Sequence, residues 1–215
     1  EAGNFFCRIV SFFLIKIKEN GAISIMNFKN LNLINPIIRA VTEAGFSKPT
    51  PFQATAIPHI LSGKDIVGFA PDNSGKTAAY IMPVLQLMKK NTPDHADIRA
   101  LILASTKDGA LATETHLNRY SKYLPLSLLS VFSGVIQTGQ LSALKKRVDV
   151  LIATPERLQE LAGQGRLDLS KIEILVLDDA QTFISGSLLK NLKEIMKMLP
   201  AKKQTLVFAS DMPSQ

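Results

Sequence analysis

Six short apolar runs, separated by segments with helical periodicity, constrain the fold of this chain more than any other feature. Each run is nearly continuous in apolar residues, which predicts a strand buried on both faces of a sheet. The runs cover residues 65–70, 100–104, 128–132, 148–153, 172–177 and 205–209. Buried strands that alternate with helices predict an α/β domain with a mainly parallel central sheet and helices on both faces.

The segments around these runs carry helix signals. Helices are predicted over residues 37–44, 52–61, 76–90, 110–123, 139–146, 155–161 and 187–198. Gly45 closes the first of them, and Pro155 stands at the first helical position of another, where proline is favoured. Ligands of parallel sheets lie outside the carboxyl ends of the strands, so polar clusters at those ends contain the candidate site residues.

Charge and cysteine content narrow the functional classes. The single Cys7 excludes an internal disulfide or a cysteine-based zinc site, so we expect a cytoplasmic protein. The net charge is +7, of which residues 1–25 supply only +1. The remaining +6 on residues 26–215 favours a polyanionic partner such as nucleic acid.

Residues 1–25 are interpreted as an N-terminal extension, and residues 26–215 as one monomeric domain. Charged residues interrupt the apolar stretch of the extension well short of the roughly 20 apolar residues that a membrane span needs, so we expect no membrane contact. Alternation over residues 15–18, followed by Asn20-Gly21 and residues 22–25, predicts a β-hairpin within the extension.

The loop after the first apolar run has the form of a phosphate-binding loop. Ser74, Gly75, Lys76 and Thr77 end a tight turn at the start of a helix. Such a loop offers backbone N–H groups, the helix dipole and a lysine to a phosphate, and leaves the threonine hydroxyl for Mg²⁺. The pattern is imperfect, because Ala70 stands where a glycine is usual.

A pair of carboxylates, Asp178 and Asp179, follows the fifth apolar run. In a nucleotide-binding sheet the first carboxylate holds the Mg²⁺ shell, and the second positions or deprotonates the attacking water. The simpler interpretation is a pair of strand-end acids that cap the next helix. The presence of Gly75-Lys76-Thr77 earlier in the chain favours the metal role.

The order of these landmarks resembles the N-terminal motor domain of the DEAD-box RNA helicases. Phe28 and residues 45–58 resemble the adenine-reading segment of that family. Four kinds of segment then follow in the family's order. They are the nucleotide loop (70–77), the RNA-contacting segments (105–110, 133–134 and 153–158), the carboxylate motif (178–181) and a final coupling segment (208–213). The resemblance runs from Phe28 to the C-terminus and implies a RecA-like P-loop fold. Ala70 is normal in this family.

The resemblance implies ATP and Mg²⁺ as cofactors, RNA as a partner and a role for individual residues. Phe46 would stack on adenine and Gln53 would hydrogen-bond its edge; without the resemblance, a helix-start turn with a packed aromatic is the preferred interpretation. The implied nucleotide-binding residues are Phe28, Phe46, Gln53, Ser74, Gly75, Lys76, Thr77 and Asp178, with Thr77 and Asp178 on Mg²⁺. The implied catalytic residues are Lys76 and Asp179, and the implied RNA-binding residues are Thr106, Lys107, Gly134, Thr154 and Arg157.

Departures from the family pattern cluster near the nucleotide. Asp72-Asn73 replace Thr-Gly; asparagine tolerates a left-handed backbone, so the loop can keep its shape, but Asp72 adds a negative charge that weakens ATP binding. Asp179 replaces glutamate and retracts the carboxylate by one methylene, and a misplacement of about 1 Å can cost on the order of a hundredfold in rate. Gln181 replaces the acid that links this motif to residues 209–211, which puts the coupling of hydrolysis to strand separation in question.

The RNA-contacting segments also depart from the family. Lys107, Asp108 and Gly109 stand where the family has Arg, Glu and Leu, and Ser133 replaces the first of two glycines. Glu156 replaces a glycine that lets backbone approach RNA, so it adds bulk and repulsion, although locally it is a favourable first-turn helix residue.

Two functions therefore remain open. The chain is expected to be an ATP- and RNA-binding motor domain with weakened activity, or else a catalytically inactive pseudo-helicase domain that binds RNA or protein. A different P-loop ATPase is disfavoured by the family spacing of Phe28, Phe46 and Gln53. The family's second RecA-like domain, with its arginine fingers, lies outside the matched segments, so we do not expect this chain alone to unwind RNA.

Overall fold

The computed structural model describes residues 13–16, 27–90, 97–134, 139, 142, 144, 146–184 and 186–210. Seven strands of this part of the chain form one sheet in the order β1-β2-β7-β6-β3-β5-β4, with every pairing parallel. They are β1 (Phe13–Lys16), β2 (Ile66–Phe69), β3 (Ala100–Leu103), β4 (Leu128–Val131), β5 (Val150–Ala153), β6 (Ile174–Leu177) and β7 (Gln204–Ala209). The parallel sheet and all six predicted strands are confirmed.

Six α-helices connect and cover these strands in the described ranges. They are α1 (Asn35–Glu43), α2 (Pro51–Leu61), α3 (Lys76–Lys90), α4 (Lys107–Ser121), α5 (Pro155–Gly163) and α6 (Gly186–Met198). Short 3₁₀ turns lie at Phe28–Leu31 and Ala180–Ile184. Each of these helices was predicted to within three residues at either end. The predicted helix over 139–146 lies largely outside the described residues.

Two apolar layers, one on each face of the sheet, make up the core. Alternate residues of a strand point to opposite faces, so each buried strand contributes to both layers. On β3, Ile102 belongs to the layer under α1 to α4, whereas Leu101 and Leu103 belong to the layer under α5 and α6. The prediction of helices on both faces is therefore confirmed, and it explains why the strand sequences are continuously apolar.

A glycine in β2 leaves room on the sheet for two aromatic rings, one from α2 and one from the neighbouring strand β7. A Cβ on Gly68 would lie 2.6 Å from Cζ of Phe52 and 3.0 Å from Cδ1 of Phe208. The rings of Phe52 and Phe208 meet edge to face, with centroids 6.0 Å apart. This contact brings the first turn of α2 beside the carboxyl ends of β2 and β7.

At the surface, α1 and α4 are joined by a charged clamp. Glu43 accepts hydrogen bonds from the Tyr123 hydroxyl, at 2.6 and 2.7 Å to its two oxygens, and from Lys122 Nζ at 2.8 Å. Arg39 pairs with the same carboxylate at 3.0 Å and stacks over the Tyr123 ring, 4.0 Å from its centroid. The clamp ties the end of α1 to the end of α4.

The strand β1 falls within the predicted N-terminal extension and pairs with β2, Phe13 lying opposite Ile66. It includes the first two residues of the predicted hairpin, and the rest of that hairpin lies outside the described residues. The domain division at residue 26 stays a prediction. None of the described helices is long and apolar enough to cross a membrane.

Candidate functional site

The carboxyl ends of β2, β7 and β6 lie side by side in the sheet and carry the predicted nucleotide-binding residues. The loop over residues 70–75 follows β2, Asp178 and Asp179 follow β6, and Ser210 follows β7. Ala70 N donates to Ala209 O at 3.1 Å, which ties the start of the loop to the end of β7. The fold thus brings together two segments that are far apart in the sequence.

The nucleotide loop keeps a left-handed backbone at two positions. Asn73 has φ +63° and Gly75 has φ +85°, and Ser74 N donates to Pro71 O at 3.3 Å within the turn. The expectation that Asn73 accommodates a left-handed conformation is confirmed. A side chain at Gly75 is disfavoured for two reasons. The left-handed backbone strains any residue with a Cβ, and a Cβ there would also collide with Nε2 of Gln53.

Two side chains from the start of α2 hold this loop. Thr50 Oγ1 donates to Ser74 O at 2.8 Å, and Gln53 Nε2 donates to Gly75 O at 3.2 Å. The same pair forms a capping box, in which Thr50 N donates to Gln53 Oε1 at 3.0 Å and Gln53 N donates to Thr50 Oγ1 at 3.2 Å. The spacing of Thr50 and Gln53 signals a helix start, but the contact of Thr50 with the loop was not predicted.

The Gln53 amide retains hydrogen-bonding capacity after these contacts. Its oxygen accepts one of two possible bonds, and its nitrogen donates one of two. The remaining acceptor and donor complement the amino group and ring nitrogen on one edge of adenine. Gln53 is 7% exposed, so this capacity lies at the bottom of the loop and not in bulk solvent.

The two predicted aromatic contacts of the nucleotide occupy different environments. Helix α1 ends in a Schellman motif, in which Gly45 N donates to Thr42 O at 3.0 Å and Phe46 N donates to Val41 O at 3.2 Å. The Phe46 side chain that follows is 46% exposed and is therefore available for stacking. Phe28, in contrast, is 5% exposed and packs in the core, so it does not offer a free ring face.

Lys76, the first residue of α3, already has an anionic partner. Its buried side chain places Nζ 3.3 Å from Oδ1 of Asp72, whose own side chain is 85% exposed. The Asp72 carboxylate therefore holds the lysine that a phosphate would contact. Beside it, the buried Oγ of Ser74 has no hydrogen-bond partner among the described residues. An unpartnered buried hydroxyl in a loop at the start of a helix fits an anionic ligand.

Asp178 lies partly buried at the end of β6, and burial raises its pKa to about 6. The repulsion of Asp179 acts in the same direction, whereas a hydrogen bond from Tyr80 opposes the shift. The Tyr80 hydroxyl donates to Asp178 Oδ2 at 2.7 Å, and burial raises the pKa of this phenol well above its ordinary value. The contact of Tyr80 with Asp178 was not predicted from the sequence.

The donor set of this edge fits Mg²⁺ bound together with a nucleotide. Thr77 and Asp178 carry oxygen atoms that could serve as ligands, and Mg²⁺ usually keeps several waters and takes its other ligands from phosphate. Within the described ranges no group of three or more His, Cys, Asp or Glu side chains could hold a metal ion. Asp179 has φ +53°, and its carbonyl accepts from Thr182 N at 2.9 Å.

Gln181 connects the segments that follow β6 and β7. Its Oε1 accepts a hydrogen bond from Ser210 N at 3.2 Å. The resemblance assigns this connection to an acid, and the sequence put it in question. In the structure an amide makes a connection between the two segments.

The predicted RNA-binding residues follow the neighbouring strands β3, β4 and β5. Thr106 caps α4 by accepting from Gly109 N at 3.1 Å, and Lys107 Nζ lies 5.6 Å from the centroid of the Phe132 ring. Gly134, with φ +83°, follows β4 two residues after that ring. Thr154 N donates to Val131 O at 3.2 Å, so these residues share one edge of the sheet.

Arg157 and Glu156 at the start of α5 each contact another side chain of the protein. Arg157 is 3% exposed, and its Nη1 lies 2.6 Å from Oε2 of Glu160. Glu156 Oε1 accepts from Asn191 Nδ2 of α6 at 3.3 Å. The guanidinium of Arg157 is thus buried and paired within the protein.

The fold and the loop at the end of β2 define a P-loop nucleotide-binding domain of the RecA-like type. A family model described as "DEAD/DEAH box helicase" matches residues 50–214. The chain belongs to the DEAD/DEAH box helicase family.

Individual relatives agree with this assignment. The chain is 37% identical over 91% of its length to the ATP-dependent RNA helicase dbp10 of Schizosaccharomyces pombe, and 35% identical over 86% to the ATP-dependent RNA helicase DeaD of Escherichia coli. It spans 23% and 29% of these two proteins, or about a quarter of their length. The crystal structure of a DEAD box protein from Methanococcus jannaschii superposes with a TM-score of 0.81 at 30% identity, covering 87% of this chain and 51% of that one.

Proposed function

We propose that this chain is an ATP- and RNA-binding motor domain of a DEAD-box RNA helicase, and that in the full-length protein its ATP hydrolysis is coupled to RNA duplex remodelling. The observation that carries the proposal is the nucleotide loop, held by Thr50 and Gln53 beside Lys76 and Asp178. The names of the relatives, ATP-dependent RNA helicases, support it. A monomer in the cytoplasm is part of the same proposal.

The proposed roles divide the nucleotide into three parts. Phe46 stacks on the adenine ring and Gln53 bonds its edge with the donor and acceptor that its capping bonds leave over. Lys76 and the N–H groups of the loop hold the phosphates. Thr77 and Asp178 would hold Mg²⁺, which when bound would supply neutralisation of phosphate charge.

The departures from the family pattern make binding weaker and hydrolysis slower in this proposal. Lys76 exchanges Asp72 for a phosphate when the nucleotide binds, and the displaced carboxylate remains near the triphosphate. Asp179 orients the attacking water from a shorter side chain than glutamate. The Gln181 contact with Ser210 keeps the segments after β6 and β7 connected, which supports retained coupling.

Calorimetric titration with ADP and ATP, with and without Mg²⁺, tests the proposal. We expect micromolar binding that prefers adenine to guanine nucleotides and that falls at least about tenfold in Gln53→Ala, because the variant loses base contacts and loop support together. Gln86→Ala is the matched control, since Gln86 also bonds two backbone groups, Ile34 N and Asn32 O, but away from the loop. Equal losses in the two variants would contradict a specific role of Gln53.

A pseudo-helicase domain that binds RNA or protein without turnover is the alternative. It is favoured by the Asp72 partner of Lys76, which leaves the phosphate-binding lysine neutralised in the free protein. In that case the titrations show no nucleotide binding while single-stranded RNA still binds. Asp179→Glu in the full-length protein distinguishes the motor domain from the pseudo-helicase domain. A higher ATPase rate supports the motor domain, and an unchanged rate supports the pseudo-helicase domain.

A further inference from the structure

A fully buried phenol touches the carboxylate that is proposed to hold Mg²⁺. Tyr80 lies on α3, one helical turn after Lys76, and its side chain has no exposed surface. Its hydroxyl donates to Oδ2 of Asp178 at 2.7 Å, across 98 residues of sequence. None of the roles assigned to the nucleotide loop uses this hydroxyl.

The ring of the phenol is packed against the neighbouring strand. It lies against Phe208 of β7 with centroids 5.1 Å apart. Phe208 in turn meets Phe52 of α2 edge to face. The fully buried side chain is therefore held between α3 and β7, and its hydroxyl is a donor with a fixed position.

A fixed donor determines how the carboxylate can turn. The bond from Tyr80 uses one acceptor position on Oδ2 of Asp178, and other acceptor positions of the carboxylate stay open to a ligand. Carboxylates that bind metals are usually oriented by such partners, whose removal typically lowers metal affinity by about 10- to 100-fold.

We propose that Tyr80 is a positioning residue that orients the Asp178 carboxylate toward Mg²⁺ of the bound nucleotide. The inference rests on the proposed binding of Mg²⁺ and nucleotide. It adds to that function a residue whose contribution depends on the metal and not on the nucleotide alone.

The test is titration of ADP into wild type and Tyr80→Phe, each with and without Mg²⁺. The variant keeps the buried ring and removes one hydroxyl. We expect the gain in ADP affinity that Mg²⁺ provides to fall about tenfold, while ADP affinity without Mg²⁺ and the thermal unfolding temperature change little.

Tyr120→Phe provides the matched control, because Tyr120 is also buried but lies on α4 away from the loop. An undiminished Mg²⁺ gain in Tyr80→Phe would overturn the inference and leave the proposed function standing. Equal losses of affinity with and without Mg²⁺ would also overturn it, since they indicate a structural role. Wild-type protein that binds no ADP under either condition would overturn the proposed function itself, and the inference with it.

Discussion

The nucleotide half and the RNA half of the sheet edge are built differently. At the ends of β2, β6 and β7, side chains reach across the chain to hold the site: Gln53 holds the loop, Tyr80 holds Asp178, and Gln181 holds Ser210. At the ends of β3, β4 and β5, a backbone bond from Thr154 to Val131 joins the segments, and the buried Arg157 pairs with Glu160. We infer that the nucleotide half is organised before its ligand arrives, whereas in the RNA half the guanidinium of Arg157 is held within the protein.

The altered residues of the nucleotide half add to this contrast. Asn73 adopts the left-handed backbone that the loop needs, and Gln181 makes a bond to the next segment. Only Asp72 introduces a charge that opposes the ligand. The backbone shape of the loop and the bond between the two segments are thus preserved, whereas the charge of the loop has changed. Shape and charge can be tested by separate substitutions.

The largest expected effect comes from adding one methyl group to each half. Gly75→Ala should lower the free energy of unfolding by about 3 kcal/mol, because it adds a collision with Gln53 to the strain of a left-handed alanine. Gly134→Ala has the same strain but open space around its Cβ, so we expect a loss of about 1 kcal/mol. Urea unfolding of both variants measures the difference, and equal losses would show that the loop is not held tightly.

A second prediction concerns Arg157. Removal of a buried and paired side chain in Arg157→Ala should cost about 2 kcal/mol of unfolding free energy. The exposed Arg166 provides the control, with an expected change below about 0.5 kcal/mol in Arg166→Ala. If Arg157→Ala instead kept its stability and lost RNA affinity about tenfold in a fluorescence anisotropy titration, the inward arrangement would not describe the RNA-binding state.

A third prediction isolates the charge of Asp72. Asp72→Asn should raise ADP affinity about fivefold at low salt, since an exposed ion pair contributes up to about 1 kcal/mol. The gain should shrink as salt is added. Asp168→Asn removes an exposed charge away from the loop and should leave calorimetric affinity unchanged. A gain of the same size in both variants would indicate a general charge effect and no competition for Lys76.

The smallest expected effect lies outside both halves of the sheet edge, at the surface clamp between α1 and α4. A hydrogen bond from Lys122, with further bonds from Tyr123 and Arg39, lowers the pKa of Glu43 from 4.5 to about 2. A lowered pKa in the folded state adds stability above about pH 4.5, and that stability is lost as the pH falls toward 2. Glu43→Gln should therefore have a slightly lower unfolding temperature at pH 7 and match wild type near pH 2. A constant difference across this range would exclude the carboxylate as its cause.

Much of the fold could be predicted because the strands are buried on both faces. Burial on both faces requires continuous apolar runs, and these are visible in the sequence without knowledge of the partners. The order of the strands in the sheet could not be predicted from any single apolar run. Strand β7 lies between β2 and β6 because the chain returns there after α6. Residues 15 and 16 of β1 were interpreted as part of a hairpin, and the parallel pairing of this strand with β2 could not be read from local alternation.

The site was predictable where a residue acts through a local pattern, and not where it acts across the fold. Lys76 and Thr77 could be predicted as site residues from their position after a glycine at a helix start. Tyr80 and Thr50 have no such pattern, because their partners lie 98 and 24 residues away and are set by the topology. The burial of Arg157 was missed for the same reason, since polarity alone indicates exposure.

The capping box of α2 performs two tasks with one pair of side chains. Thr50 and Gln53 close the first turn of the helix and also hold the carbonyls of Ser74 and Gly75. Opening either structure therefore breaks the bonds of the other. The amide hydrogens of the first turn of α2 and of the nucleotide loop should exchange with solvent as one cooperative unit, and a ligand that protects the loop should slow exchange in the helix by a similar factor.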